Sequence, residues 1–366
     1  MNRISVLDSL RGLAASIVVF HHVFYSTSFF WELKNTHYHL FMILDFISDL
    51  NQHSVFFFFI LSGFCIQLSS SKMNFSLKKD LNTYFFKRFN RILPLYWFSL
   101  ILTLLIGIAM YQTKDPVFGV KSFVGNLLFL QTSNTFDYSW FVPYGNNGPL
   151  WSLAYEMFYY LLFPFYWLLI LKIHSKMKFS FSAYDLAFIG SFVFSLLGFV
   201  LNKLLPNPFF TYSIYFIMWY SGVYLAYLYQ NKLKKYSVML LFLSIVIVLE
   251  VVMIPYLSLT INNICKSSLM MIAAYLFYVF PVLRNNIVFQ FLKNLLNQLF
   301  TKIGEGSYAL YLIHYPILTY LLSIGRITYW YEILFFFVSM PIISFWIEKL
   351  IVKIPFTFLK LNYVGK

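Results

Sequence analysis

Runs of about 20 mostly apolar residues recur along the whole chain, each long enough to cross a hydrocarbon core as a helix. Ten can be placed, near 8–28, 54–70, 91–111, 150–171, 185–204, 211–229, 237–257, 264–283, 306–324 and 331–351. In lipid a spanning backbone must satisfy its own N–H and C=O groups, so each run is expected to be an α-helix. Only 11% of residues are charged and 60% are hydrophobic, where a soluble domain carries roughly 25% charged residues. That balance excludes a soluble enzyme, a disordered chain and a secreted disulfide scaffold. The expected fold is an all-α polytopic membrane protein of about ten transmembrane helices, with residues 1–366 forming one membrane domain.

An even number of spans puts both termini on one side. Of the 27 Lys and Arg residues, 21 fall on that side and 6 on the other, which by the positive-inside rule places both termini in the cytoplasm. The same rule accounts for the net charge of +14, so no nucleic-acid partner is implied. Asp8 and Arg11 interrupt the first apolar run and no A-x-A-like site follows, so a retained helix is expected there, not a cleaved signal. Cys65 and Cys265 lie in or beside apolar runs, and no Cys/His cluster points to a metal. The stretch Phe123–Leu130 is too short to cross and is expected at the interface or in a re-entrant loop. The loop at 71–90 carries Lys72, Lys78, Lys79, Lys87 and Arg88, expected to meet lipid headgroups. Richness in Lys, Asn, Ile and Phe suits an AT-rich bacterial genome, and the expected location is the bacterial cytoplasmic membrane.

Ionisable residues inside a membrane are costly and therefore informative. Asp8, Arg11, Ala15, Val18 and His22 follow one face of the first helix, with Arg11 near the cytoplasmic edge and His22 about 16 Å deeper. His21 points about 100° away from His22. Glu156 is expected about 9 Å below the far surface and His314 about 12 Å above the near one, so both approach the depth of His22. A midplane cluster of His22, Glu156 and His314 is one reading; helix-to-helix hydrogen bonds are the other. Arg88 and Arg91, at i and i+3, share a helix face at the cytoplasmic mouth. A pair of guanidinium forks suits phosphate, although spacing alone favours a simple topology signal. Ser62 and Gly63 suit close helix packing in the second span.

These pieces stand in a familiar order. Leu7-Asp8-Ser9-Leu10-Arg11-Gly12-Leu13-Ala14-Ala15 with His21-His22, then Phe56-Phe57-Phe58-Phe59-Ile60-Leu61-Ser62-Gly63-Phe64, resembles the opening of the acyltransferase-3 family. Arg88-Phe89-Asn90-Arg91-Ile92-Leu93-Pro94, Trp151-Ser152-Leu153 with Glu156, and Tyr308-Ala309-Leu310-Tyr311-Leu312-Ile313-His314-Tyr315-Pro316 are similar to its later motifs. Its members are membrane acyltransferases acting on surface carbohydrates and other acceptors. The resemblance implies that His22, eleven residues after Arg11, is the catalytic histidine. It links Arg11, Arg88 and Arg91 to acyl-CoA, and its motifs make Trp151, Ser152 and Tyr311 candidate substrate contacts. Many relatives carry a further hydrolase-like domain after the membrane part; ending at Lys366, this sequence is expected to be the single-domain form.

The implied reaction takes an acyl group from cytoplasmic acyl-CoA to a hydroxyl of a lipid-linked or surface carbohydrate. Acetyl is the expected group, with succinyl the alternative. His22 acts either as general base or as the nucleophile of an acyl-histidine route, with Glu156 or His314 orienting it. Acyl-CoA is a co-substrate, no permanently bound cofactor or metal is expected, and membrane lipids and the carbohydrate acceptor are the remaining partners. Two rivals are a transporter or flippase for a lipid-linked sugar or acyl group, and a non-catalytic scaffold of an envelope assembly.

Overall fold

The computed structural model describes residues 5–132, 139–177, 179–231 and 287–351. The expected spans at 237–257 and 264–283 lie outside the described residues. Among the described residues the chain is helical, without strands, apart from one isolated bridge between Gln131 and Phe141. Helix α1 (Ser5–Ser26) turns sharply, by 76°, into α2 (Ser28–Thr36). Next, α3 (Tyr38–Asp49) leads into α4 (Asn51–Ser70), α5 (Lys78–Ala109) and the short α6 (Val120–Leu127). Helices α7 (Trp151–Met177), α8 (Ala183–Leu204), α9 (Pro208–Ile214) and α10 (Phe216–Gln230) follow. Beyond the undescribed stretch come α11 (Ile287–Glu305), α12 (Ser307–Ser323) and α13 (Trp330–Ile351).

Five described stretches are long and apolar enough to cross a membrane: Tyr38–Ser70, Lys78–Ala109, Gly148–Met177, Ala183–Leu204 and Trp330–Ile351. The bent α1–α2 pair would make a sixth. The architecture is that of an integral membrane protein.

Several segments differ from the sequence expectation. The helix expected over 91–111 starts at Lys78, so the 71–90 loop is mostly helix and carries the arginine motif inside α5. The run at 211–229 is two helices that meet at Tyr215. Ser195 bridges that break, donating to the Ser213 carbonyl and accepting from the Ile217 N–H, both at 3.0 Å. The stretch at 284–302, expected as a loop, is helix α11, which packs along α1. There Ser9 Oγ donates to Asn297 Oδ1 at 2.6 Å. Phe123–Leu130 folds as α6 followed by a turn in which Phe129 has a φ of 59° and stacks on Tyr96.

Lipid tails are as apolar as the helices, so these helices associate by close packing. At the α1–α11 crossing a methyl on Gly12 would strike the Phe300 carbonyl, and one on Gly304 the Asp8 carbonyl. At the α4–α10 crossing Gly63 faces the Trp219 carbonyl and Gly222 the Ile60 carbonyl. Two helix-interior prolines release carbonyls four residues earlier, and side chains from elsewhere take them up. Pro164 frees Tyr160 O, which accepts from the Tyr84 hydroxyl at 3.1 Å. Pro316 frees Leu312 O, which accepts from Asn147 Nδ2 at 3.2 Å.

Candidate active site

Helices α1, α4, α5, α7 and α12 line a cavity of about 100 Å³ that is partly open to the outside. Arg11, Arg88 and Arg91 all line it, although they come from two helices and lie up to 80 positions apart in sequence. Arg11 is held by Asp8 Oδ1 at 2.9 Å and donates to Cys65 Sγ at 2.8 Å. Arg88 is nine-tenths buried, donates through Nη2 to Ser69 Oγ at 2.6 Å, and has no hydrogen-bond partner at Nε. Arg91 keeps an exposed surface although protein surrounds it closely, as expected of a side chain lining a cavity. Among the described residues Asp8 pairs with Arg11, while Arg88 and Arg91 form no ion pair, and Glu156 is the carboxylate in the wall they share. The arrangement suits a ligand carrying several negative charges.

Glu156 belongs to this cavity and not to the histidines. Its Oε1 accepts from Ser62 Oγ at 2.6 Å and from the Tyr160 hydroxyl at 2.5 Å, and Trp219 Nε1 donates to Ser62 at 3.2 Å. Among the described residues no hydrogen bond joins Glu156 to His22 or His314.

His22 and His314 do meet. His314 Nε2 lies 3.0 Å from His22 Nδ1. His314 Nδ1 lies 2.8 Å from the Leu310 carbonyl, and His22 Nδ1 2.9 Å from the Val18 carbonyl. A carbonyl only accepts, so neutral His314 carries its proton on Nδ1 and presents a bare Nε2. His22 then carries its proton on Nδ1, shared between Val18 O and His314 Nε2, and its own Nε2 holds the basic lone pair. His314 is fully buried, and the Tyr315 ring stands edge-on to His22 at 4.9 Å. His21 faces α3 instead, with its Nδ1 3.1 Å from both Ser48 O and Ser48 Oγ.

Tyr311 stands between the two centres. It lines the cavity, its hydroxyl lies 2.8 Å from Ser152 Oγ, and its ring centre is 6.4 Å from that of His314. Ser152 lines the cavity as well. Trp151 does not: its ring packs edge-on against Tyr155 at 5.4 Å and lies 6.3 Å from Phe59, within an aromatic cluster.

Residues 4–349 match the acyltransferase-3 family, described as an acyltransferase domain. The chain belongs to this family. Its apolar helices make it an integral membrane member of that family. The acyltransferase MdmB of Streptomyces mycarofaciens is 30% identical over 179 residues, which is 47% of this chain and 41% of that protein. The chain thus spans about two fifths of this relative's length. No solved structure matches the chain.

Several residues that line this cavity or stand behind its arginines escaped the sequence reading. Tyr160 is one turn beyond Glu156 and shares its face, which was a usable signal. Glu348 comes from α13, accepts the Ala309 N–H at 3.1 Å at the start of α12, and lies within electrostatic range of Arg91 and Arg11. A carboxylate inside the last span was the signal for it. Cys65 and Ser69 gave none, since small residues in a membrane helix ordinarily serve packing.

Proposed function

We propose that the protein moves an acyl group, acetyl in the first instance, from cytoplasmic acyl-CoA to a hydroxyl of a lipid-linked or surface carbohydrate. The reading includes ten spans, both termini in the cytoplasm and residence in a bacterial cytoplasmic membrane. Arg88, Arg91 and Arg11 hold the phosphates of CoA by charge-assisted hydrogen bonds. The pantetheine arm passes Glu156, Ser152 and Tyr311 on its way to the histidine pair. The acceptor enters from the opposite side.

His22 Nε2 takes the proton of the acceptor hydroxyl as that oxygen attacks the thioester carbonyl. The carbon–sulfur bond breaks and CoA leaves as the thiolate, which recovers a proton from the imidazolium. His314 Nε2 fixes the tautomer of His22 and faces the positive charge while it lasts, the part an orienting group plays for a catalytic base. The same Nε2 lone pair would serve an acyl-histidine route as nucleophile, and direct transfer is the route with fewer steps.

The single observation that carries the reading is the convergence of three arginines on one cavity whose wall, Tyr311, adjoins the histidine pair. Calorimetric titration of acetyl-CoA into the purified full chain tests it. Wild type and His22→Ala are expected to bind alike, and Arg88→Ala with Arg91→Ala at least about 100-fold more weakly. Absence of binding to folded wild type would remove the donor assignment and bring the transporter reading forward.

A further inference from the structure

Helix α1 continues past His22, and its last turn ends in a polar and aromatic group that donor binding does not use. Tyr25 is three residues on, about 4.5 Å further along the axis. Its hydroxyl donates to Asp45 Oδ1 at 3.0 Å, with Asp49 Oδ1 at 3.5 Å. Asp45 and Asp49 are one turn apart on α3, so both carboxylates face this end of α1. Among the described residues no Lys, Arg or His forms an ion pair with either. Lys34 turns instead to the rings of Trp31 and Phe41, at 5.8 and 5.7 Å. The Trp31 and Tyr25 rings are 6.1 Å apart and stay 43% and 41% exposed. His21 connects this group to the reacting centre, 4.9 Å from the Tyr25 ring and 5.3 Å from His22.

We infer that Tyr25, Trp31, Asp45 and Asp49 form the acceptor subsite and take a sugar without acidic groups. A sugar ring offers an apolar C–H face and a rim of hydroxyls. Trp31 and Tyr25 supply flat surfaces for the first. Ionised carboxylates are pure acceptors with several lone-pair positions, which suits adjacent hydroxyls. Two carboxylates against one ammonium, Lys34 over the Trp31 ring, leave the group net negative, which disfavours a uronate and tolerates a neutral or amino sugar. A saccharide held here presents a hydroxyl toward the same end of α1 as His22. An exposed Tyr–Trp pair alone would suit a membrane interface; the carboxylates on the tyrosine hydroxyl are what an anchor does not need. The inference rests on the acyltransferase reading for what is transferred, but the sugar's binding place is tested apart from it.

The test is saturation-transfer NMR on the solubilised full chain with methyl glucoside, methyl glucosaminide and methyl glucuronide as probes. Acetyl-CoA titration and elution profiles on the same preparations report the donor site and folding. Wild type is expected to give signals for the first two sugars at least fivefold above the glucuronide. Asp45→Asn with Asp49→Asn should abolish that discrimination, and Trp31→Ala should weaken all sugar signals severalfold, both with unchanged acetyl-CoA binding. No signal for neutral sugars with wild type, equal binding of the glucuronide, or unchanged signals in the folded variants would overturn the subsite. Sugar binding that follows this pattern without acetyl-CoA binding would uphold the subsite and remove the donor reading.

Discussion

The two ends of the α1 face are built on different plans. The Arg11 end is crowded: Asp8, Cys65, Ser69, Glu156 and Tyr160 share the cavity wall or hold its arginines, and contacts overlap. The His22 end is sparse, one imidazole oriented by another, each tied to a helix carbonyl one turn back. A crowded cationic wall loses affinity by degrees when one member goes. A single base loses its chemistry at once when that imidazole is removed. The contrast matches the division between holding a polyanionic donor and moving one proton.

The first way to break this comparison is His22→Ala. Removing a general base typically costs about 10²–10⁴ in rate, and a loss of about 10³ in kcat with acetyl-CoA affinity unchanged is expected. Single-turnover transfer beside calorimetry checks it. Retained turnover would move the chemistry away from the pair. The next effect is in the cavity. Charge-assisted hydrogen bonds contribute about 1.5–3 kcal/mol each, so Arg88→Ala with Arg91→Ala should raise the donor KM at least about 100-fold while kcat falls little. A collapse of kcat at saturating donor would mean that the two ends are not separate functions.

His314→Ala sharpens the comparison at smaller scale. His22 keeps the Val18 carbonyl as acceptor for its Nδ1 proton, so the base survives but loses half of its orientation. We expect kcat to fall about tenfold, less than the loss of about 10²–10⁴ for removing an acid–base group itself, with the donor KM unchanged. His314→Gln should recover part of the loss, since its amide oxygen accepts from His22 Nδ1. Equal rates for the two variants would show that His314 fills space and does not orient.

How much of this was legible beforehand follows from which forces act locally. Apolar runs are a local property, so the spans at 91–111, 150–171, 185–204 and 331–351 correspond to α5, α7, α8 and α13. The motif order anticipated the meeting of Arg11, Arg88 and Arg91, and of His22 with His314. The partners of Glu156 were not legible, because hydropathy carries no pairing and Ser62 lies 94 positions away. Helix α11 was missed because half its surface is polar, and an amphipathic helix against α1 has no run of spanning length. The break at Tyr215 was hidden for the opposite reason: the sequence stays apolar through it, and the compensating Ser195 is distant in sequence.

The smallest predicted effect concerns the proline kink that aims His314. Pro316 deprives the Leu312 carbonyl of its helical donor, and Asn147 Nδ2 replaces it from the loop before α7. His314 lies midway between those two positions, so its bearing depends on how the kink is held. Asn147 is 1% exposed, also donates to Thr103 Oγ1 at 3.3 Å, and leaves its Oδ1 without a partner. Leucine here would orphan the carbonyl, a penalty of about 1–3 kcal/mol, partly offset by removing that unpaired oxygen. Asn147→Leu should therefore lower the melting temperature by a few degrees and kcat about threefold, leaving the donor KM alone. The mechanism is separable from general damage by a double-mutant cycle. Pro316→Ala restores a backbone N–H for Leu312 O, so Asn147→Leu should cost less in that background than alone. Additive losses would mean that Asn147 supports the loop and has no hold on the histidine pair.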